Sequence, residues 1–581
     1  MIRFRQVACT WLLSAAAFAQ APPAGPAPPT TPAPPAKTAS AGEMTTHDVP
    51  ATFSSRVNLV MVPVVVRDAK GKAVGNLSQE DFQLYDRGKL QVISRFAVER
   101  TDLPPTPVPP AIDEAAPDKQ QPPPPPIPDR FVAYLFDDVH LDTSNLLRVR
   151  LAADKHLTES LSPTMRAAIF TTSGMGGLDF TDDMEKLRAE INSIKPHTVL
   201  TAAFECPNVT YYMADMIVNH TDGQAAAVVR ADTAACNSGI TDAAVLDNIA
   251  HAAALNALNA GEAEARQSLI NVKNMVQRVT AMPGSRSIIL VSDGFWVPAD
   301  DMRTDEAEIL DKAIRGNVVI NALDARGVYT IIPSGDASTR GISTASSGLR
   351  TMYETTAALA QQDILAELAD GTGGQFYHND NGLREGFDQI ATRPEFIYVL
   401  GFSPQNLRYD GAYHKLKVSL VKGKGLDMQS RRGYTAPRHA ADPAEEAKEE
   451  IREAVFSREE LPDIPVDVRT QFFKSSDTAA RLTVVAHVDM KTIHFIDAEG
   501  RHKDNLTVVA GIFDKNGNFV NGLQRLIEMN LKDSTLETVA SQGITVRTAF
   551  DVMPGTYTIR VVVRDSEGQT MAARNGAVQI P

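Results

Sequence analysis

Cysteine is scarce in this 581-residue chain, which holds three, Cys9, Cys206 and Cys236. Long uncharged apolar runs are missing beyond the first twenty residues: none later approaches the ~18 residues of a membrane-spanning helix, which excludes such a span. Cationic surface is missing too. The formal net charge is −14, and no basic stripe is interleaved with aromatics, so a phosphate backbone would be repelled and a nucleic-acid role is excluded. Familiar catalytic signatures are absent as well. The histidines show no H-E-x-x-H spacing, and Ser173 in TTSGMGG lacks the Gly-x-Ser-x-Gly elbow. Gly371-Thr372-Gly373-Gly374 is followed by no Lys-Ser/Thr, so it reads as a helix C-terminal turn leading into QFYH rather than a phosphate cradle.

The chain opens with Arg3 and Arg5, then an apolar run from Val7 to Ala19 that ends Ala17-Phe18-Ala19. This predicts a signal peptide over 1–19 and a secreted or periplasmic protein, two charges more negative after processing. Cys206 and Cys236 then remain, and in an oxidising compartment they predict one disulfide, contributing roughly 3 to 4 kcal/mol by closing its loop.

Residues 20–50, rich in Pro, Ala and Thr, predict a disordered tether. Residues 53–100 read as strands, with Asp86-Arg87-Gly88-Lys89 as a hairpin loop. A proline-rich linker spans 101–129, its run of five prolines favouring a stiff spacer. From 131 to 392 the pattern becomes α/β. Strands are expected at 131–137, 166–172, 287–292 and 318–324, and helices at 143–161, 181–193, 262–281, 303–316 and 353–370. Strands separated by helices predict a parallel sheet covered on both faces. The stretch 195–260 offers no further strand and reads as an insertion. A β segment at 394–436 is expected to pair with 53–100, since neither has strands enough to close a core alone. Asp442-Pro443-Ala444-Glu445 signals a helical linker over 441–458, and 463–581 reads as a C-terminal antiparallel β-sandwich.

Several segments carry a family likeness: VPVVVRDAKGKAVGNLSQEDFQLYDRGKLQVISRF, LVSDGFW, NVVINALDARGVYT, LADGTGGQFYHNDNGLREGFDQI, YVLGFSP and HKLKVSLVKGKGLDMQSRRGYTA. Over about 53 to 436 the chain resembles the VWFA-related acidobacterial domain family of secreted bacterial proteins, and 131–392 resembles a von Willebrand factor type A domain. The resemblance implies a Rossmann-like sheet flanked by β-sandwich segments. At its carboxyl edge stands a metal-ion-dependent adhesion site, with an Asp-x-Ser-x-Ser after the first strand, a Thr from a later loop and an Asp after the strand IILVS. Carboxylates and hydroxyls are hard oxygen ligands for Mg²⁺, Mn²⁺ or Ca²⁺.

Asp137 and Asp293 match the first and last positions of that motif; the middle does not match. Val139 and Leu141 stand where hydroxyls belong. Frames starting at Asp138 or Asp142 recruit His140, Asp142 or Ser144 without restoring the set, and Thr198 and Thr201 are the candidates for the loop threonine. One reading is a degenerate site in which Asp137, Asp138 and Asp293 hold a divalent cation. In the other, Asp137 and Asp138 end a strand, Asp142 or Thr143 caps the next helix, and Asp293 caps a turn before Gly294. Trp296 is either an exposed contact residue or part of the packing.

The expected function is non-enzymatic: binding of a protein or glycan partner through the upper loops of the α/β domain. A metal-assisted hydrolase and an envelope assembly component are the alternatives.

Overall fold

The structure is a computed structural model that describes residues 43–50, 60–69, 72–100, 110–115, 126–197, 206–298, 300–328, 347–392, 394–402, 413–423, 425–436, 443–457 and 460–581. The expected leader at 1–19 lies outside the described residues, as do Thr198 and Thr201.

Six strands precede the α/β region: β1 (Met44–Pro50), β2 (Val60–Arg67), β3 (Phe82–Asp86), β4 (Lys89–Gln91), β5 (Arg95–Arg100) and β6 (Ile112–Asp113). The central region follows as β7 (Arg130–Phe136), α1 (Thr143–Ser160), β8 (Met165–Thr171), β9 (Gly177–Thr181), α2 (Met184–Ser193), α3 (Tyr211–Val218), α4 (Gly223–Cys236), α5 (Ala243–Thr280), β10 (Ser285–Ser292), α6 (Asp300–Arg315), β11 (Val318–Asp324), α7 (Ser347–Thr372), β12 (Phe376–Tyr377) and α8 (Leu383–Ala391). Its six-stranded sheet has the order β12-β11-β10-β7-β8-β9. All neighbours are parallel except the edge pair β8–β9.

Side-chain alternation along β7 explains why both faces are covered. Phe131, Ala133 and Leu135 join a core with α5, α6 and α7, while Val132, Tyr134 and Phe136 join a second core with α1, α2 and α8. A strand buried on both sides needs apolar residues at every position, which is why FVAYLF reads as a continuous run.

Four more strands follow: β13 (Phe396–Phe402), β14 (Tyr413–Leu420), β15 (Asp427–Ser430) and β16 (Gly433–Thr435). They interleave with the early ones as two four-stranded sheets, β15-β2-β13-β5 and β16-β14-β3-β4, around one apolar core. Past the helix Pro443–Phe456, two further sheets enclose the C-terminal core, and the strands Arg501–Asp514, Gly555–Asp565 and Met571–Ile580 run side by side in the larger one. The molecule is thus mixed α/β with several separate sheets. No helix among the described residues is long and apolar enough to cross a membrane.

Three expectations are corrected. Part of the supposed tether, β1, is a strand: Met44 to Pro50 pair antiparallel with Met529 to Leu523, and Asp48 accepts both Nε (2.5 Å) and Nη2 (2.7 Å) of Arg525. Composition gives this segment no core of its own, and an edge strand supplies the backbone partner instead. The proline-rich linker likewise contains β6, which pairs parallel with Gln471 and Phe472, with Ala111 buried in the C-terminal core. The helix expected at 262–281 starts at Ala243 and runs 38 residues, so it takes in the end of the stretch 195–260, whose described residues also carry α3 and α4. Alanine favours helix at every position, so an alanine-rich run with weak apolar periodicity still extends it. Cys206 and Cys236 are disulfide-bonded, with a Cα–Cα distance of 5.8 Å, tying the segment before α3 to the end of α4.

Candidate functional site

Parallel strands end on the same side, so the residues after β8, β7, β10 and β11 line one edge of the sheet. The ends are knitted together: Asp137 N donates to Val291 O (2.9 Å), Thr172 N to Phe136 O (3.0 Å) and Ala325 N to Ser292 O (3.1 Å). Asp137, Asp138 and Asp324 are fully buried there, and Asp293 follows β10 directly.

Each acid has its own internal partners. Thr172 Oγ1 donates to Asp137 Oδ1 at 2.6 Å and Ser292 Oγ to Asp137 Oδ2 at 2.5 Å. His140 Nδ1 lies 3.0 Å from both oxygens. Burial works against ionisation of Asp137, but the charge of His140 and the hydrogen bonds from His140, Ser292 and Thr172 outweigh it and hold the carboxyl below the ordinary range. Burial also opposes protonation of His140; Asp137 overcomes it, helped by Glu264 and Asp293, and the imidazole is raised above its usual value. Asp137 and His140 thus each favour the other's charged form, and the ring stacks on buried Phe295 at 4.9 Å.

Asp138 takes Ser173 Oγ on Oδ2 (2.6 Å) and Ser173 N on Oδ1 (2.9 Å), with His197 Nδ1 3.0 Å from Oδ2. Asp324 is paired with the guanidinium of Arg326 at 2.8 Å and accepts Gln362 Nε2 at 2.7 Å. Asp293 accepts Asn145 Nδ2 (3.2 and 3.0 Å) and, more weakly, Asp142 N (3.4 Å). Burial is the main reason its carboxyl is pushed up to about 7.

The residues weighed from sequence fall into place as follows. Asp142 is the cap of α1, accepting Ser144 N (2.6 Å), Asn145 N (2.9 Å) and Ser144 Oγ (2.7 Å), so both Asp142 and Ser144 are spent on starting the helix. His140 partners Asp137. Trp296 is half-buried and meets Tyr212 of α3 edge-on at 5.3 Å, its Nε1 enclosed with no acceptor among the described residues. Gly294 carries this loop past α7: a Cβ there would come within 2.2 Å of Gln361 O, at a φ of +83°. The hydroxyls come from Thr172, Ser173 and Ser292, which sequence reasoning missed. The parallel pairing of β7 with β8, Phe136 opposite Thr171, sets Thr172 beside Asp137.

This donor set does not fit a resident cation. The carboxylate oxygens of Asp137, Asp138 and Asp293 already face donors, and the His140 imidazole lies against both oxygens of Asp137. Among the described residues no group of three or more His, Cys, Asp or Glu side chains is arranged to hold a metal.

At the far end of α1, away from the rim, His156 Nδ1 lies 2.6 Å from Asp388 Oδ1 and its Nε2 3.2 Å from Ser160 Oγ. The order resembles a nucleophile relay, and the i, i+4 spacing of His156 and Ser160 was readable. Burial raises the Tyr134 hydroxyl, which stays protonated and donates to the same Nε2 at 3.0 Å. Ser160 has no free base there.

The raised carboxyl of Asp293 sets a pH dependence. Its folded pKa of about 7 lies above an unfolded value of ~4, so the fold favours the protonated acid. The stability this contributes is complete below the unfolded pKa and is lost as pH rises towards the folded one. Asp293→Asn cannot ionise; its urea midpoint, measured against that of the unsubstituted chain, should gain steadily as pH climbs through this window. A difference that ignores pH would contradict the assignment.

No family model and no curated protein matches the chain. Among solved structures, it is similar to an aerotolerance-related membrane protein from Bacteroides fragilis, with 11% identity and a TM-score of 0.24 over 45% of this chain and 96% of the other. It is also similar to the conserved hypothetical protein BatB from Bacteroides thetaiotaomicron, with 12% identity and a TM-score of 0.23 over 45% and 97%. Scores this low do not assign a fold.

Proposed function

We propose that the central region is a von Willebrand factor type A domain, carried by a secreted or periplasmic, non-enzymatic protein that binds its partner at the carboxyl edge of the sheet without a metal ion. The observation that supports this reading is the contrast at that edge. Its acids are hydrogen-bonded internally, while exposed apolar side chains stand on the surrounding loops and first helical turns: Leu147 (55% exposed), Met175 (64%) and Val328 (60%). Arg148 reaches Arg326 O at 3.5 Å, so the first turns of α1 adjoin the loop after β11. Exposed aliphatic side chains around internally hydrogen-bonded acids suit a protein partner better than a glycan, because aliphatic side chains gain by leaving water and do not hydrogen-bond sugar hydroxyls.

A photo-crosslinking residue placed at Met175 or Val328 should give one discrete adduct in the native extract. The same residue at exposed Leu90, in the hairpin β3–β4, should give none, and a chelator should change nothing. An adduct that forms only with added divalent cation, or no adduct at either rim position, would count against the reading. The alternatives predict otherwise. A metal-assisted hydrolase would show turnover that Asp293→Ala abolishes, and an envelope assembly component would crosslink from the C-terminal sandwich, for example from exposed Met553.

A further inference from the structure

The C-terminal sandwich buries two carboxylates that the rim does not involve. Asp504 is 2% exposed and Asp565 fully buried. Asp504 lies on the strand Arg501–Asp514, on the same face as Leu506 and Val508, and Asp565 ends the neighbouring strand Gly555–Asp565 on the face of Val561 and Val563. Leu506 pairs with Asp565 across the two strands, so Asp504 is its diagonal neighbour on one surface. No lysine or arginine pairs with either acid among the described residues. The nearest imidazole, His494, keeps Nδ1 3.6 Å from Asp565 Oδ2, with its side chain 68% exposed.

The turn after Asp565 wraps the pair. Gly568 N donates to Asp565 Oδ1 (2.7 Å), His494 N to Asp565 Oδ2 (3.0 Å) and Glu567 N to Asp504 Oδ1 (3.3 Å). A Cβ on Gly568 would lie 2.4 Å from Asp565 Oδ2 and 2.5 Å from His494 Nδ1, so the turn closes this tightly only on glycine. Two oxygens are left over. Asp504 Oδ2 and Thr570 Oγ1 are enclosed and have no hydrogen-bond partner among the described residues. Thr570 stands opposite Asp565, whose N donates to Thr570 O at 3.0 Å, so its side chain shares the face of the two acids.

A buried carboxylate oxygen with no donor, beside a second carboxylate and an unpartnered hydroxyl, is a gathering of lone pairs with nothing positive among them. The donors are all hard oxygens, on a strand end and a turn rather than a rigid octahedral frame. That favours Ca²⁺, which accepts six to eight oxygens and irregular geometry, over Mg²⁺, and excludes soft-ligand metals.

We propose that Asp504, Asp565 and Thr570 form a Ca²⁺ site that fastens the turn 565–570 to the C-terminal sandwich. The site is independent of the binding rim. In the test, the full chain is freed of metal with a chelator and titrated calorimetrically with CaCl₂ and, separately, MgCl₂, with the melting temperature followed in parallel. The expected result is saturable Ca²⁺ binding with one site, a Ca²⁺-dependent rise in melting temperature, and a much smaller response to Mg²⁺. Asp504→Asn should weaken Ca²⁺ binding at least tenfold. Should that variant fail to fold, Thr570→Val, which removes one peripheral donor, should weaken it several-fold. Asp293→Asn at the rim should leave it unchanged. Absence of Ca²⁺-dependent heat and melting shift at millimolar concentration would overturn the proposal. So would binding that Asp504→Asn or Thr570→Val leaves intact, or neutral-pH-dependent stability without any Ca²⁺ response, which would mean that the two acids share a proton instead.

Discussion

Asp137→Ala should cost about 3–5 kcal/mol of stability, the usual result of removing one partner from a buried ion pair. The reason lies in what remains. His140, its side chain 17% exposed, would lose the carboxylate that offsets its burial, and the hydroxyls of Thr172 and Ser292 would lose their short acceptors. Urea unfolding at neutral pH reads the loss directly. The companion test is the cycle with His140→Phe, because an aromatic ring can keep the stack on Phe295. Replacing both members of a buried pair by apolar groups is often close to neutral, so the double variant should recover part of the loss, with a coupling of about 0.5–3 kcal/mol. A single-variant loss below ~1 kcal/mol, or strict additivity, would mean that the pair does not hold the rim together.

That pair also marks the boundary of what the sequence discloses. FVAYLFDD could be read as a strand ended by charge because a doubly covered strand must be apolar at consecutive positions, and the alternation of strand and helix placed Asp137 and Asp293 on one edge. The hydroxyls around Asp137 are hidden from the local sequence for a physical reason. Val139 and Leu141 follow Asp137 along the chain, whereas the hydroxyls come sideways, from Thr172 just after β8 and Ser292 at the end of β10. Register between parallel strands is set by packing over long sequence separations, and no local pattern encodes it. His140 looked like a stray ligand, and its role as the resident cation depends on burial that only the folded loop creates. The same holds for β1 and β6. MTTHDVP and Ile112–Asp113 become strands because Leu523–Met529 and Gln471–Phe472 offer free edges, and nothing in seven or two residues says so alone.

Deletion of residues 60–100, with 43–50 retained, should unfold the distant strands β13 and β14 while leaving the central sheet intact. β13 has β2 on one side and β5 on the other, and β14 lies between β3 and β16. The shared core draws seven buried side chains from the early segment, Val60, Val62, Val64, Val66, Phe82, Leu84 and Ile93, and seven from the later one, Tyr398, Leu400, Phe402, Leu416, Val418, Tyr434 and Ala436. Losing the first set removes on the order of 10–20 kcal/mol of transfer free energy, an upper estimate because unfolded chains are already partly compact. Even half of that is comparable to the whole stability of an ordinary domain, about 5–15 kcal/mol. The orphaned strands would also expose backbone groups along both edges. Hydrogen exchange gives the readout segment by segment: amides at 396–402 and 413–420 should lose protection, while those of β7 and β10, enclosed between the two helical layers, should keep it. Retained protection at 396–402 would show that the later strands close a core without the earlier ones, and simultaneous loss in β7 would show that the two regions fold as one cooperative unit.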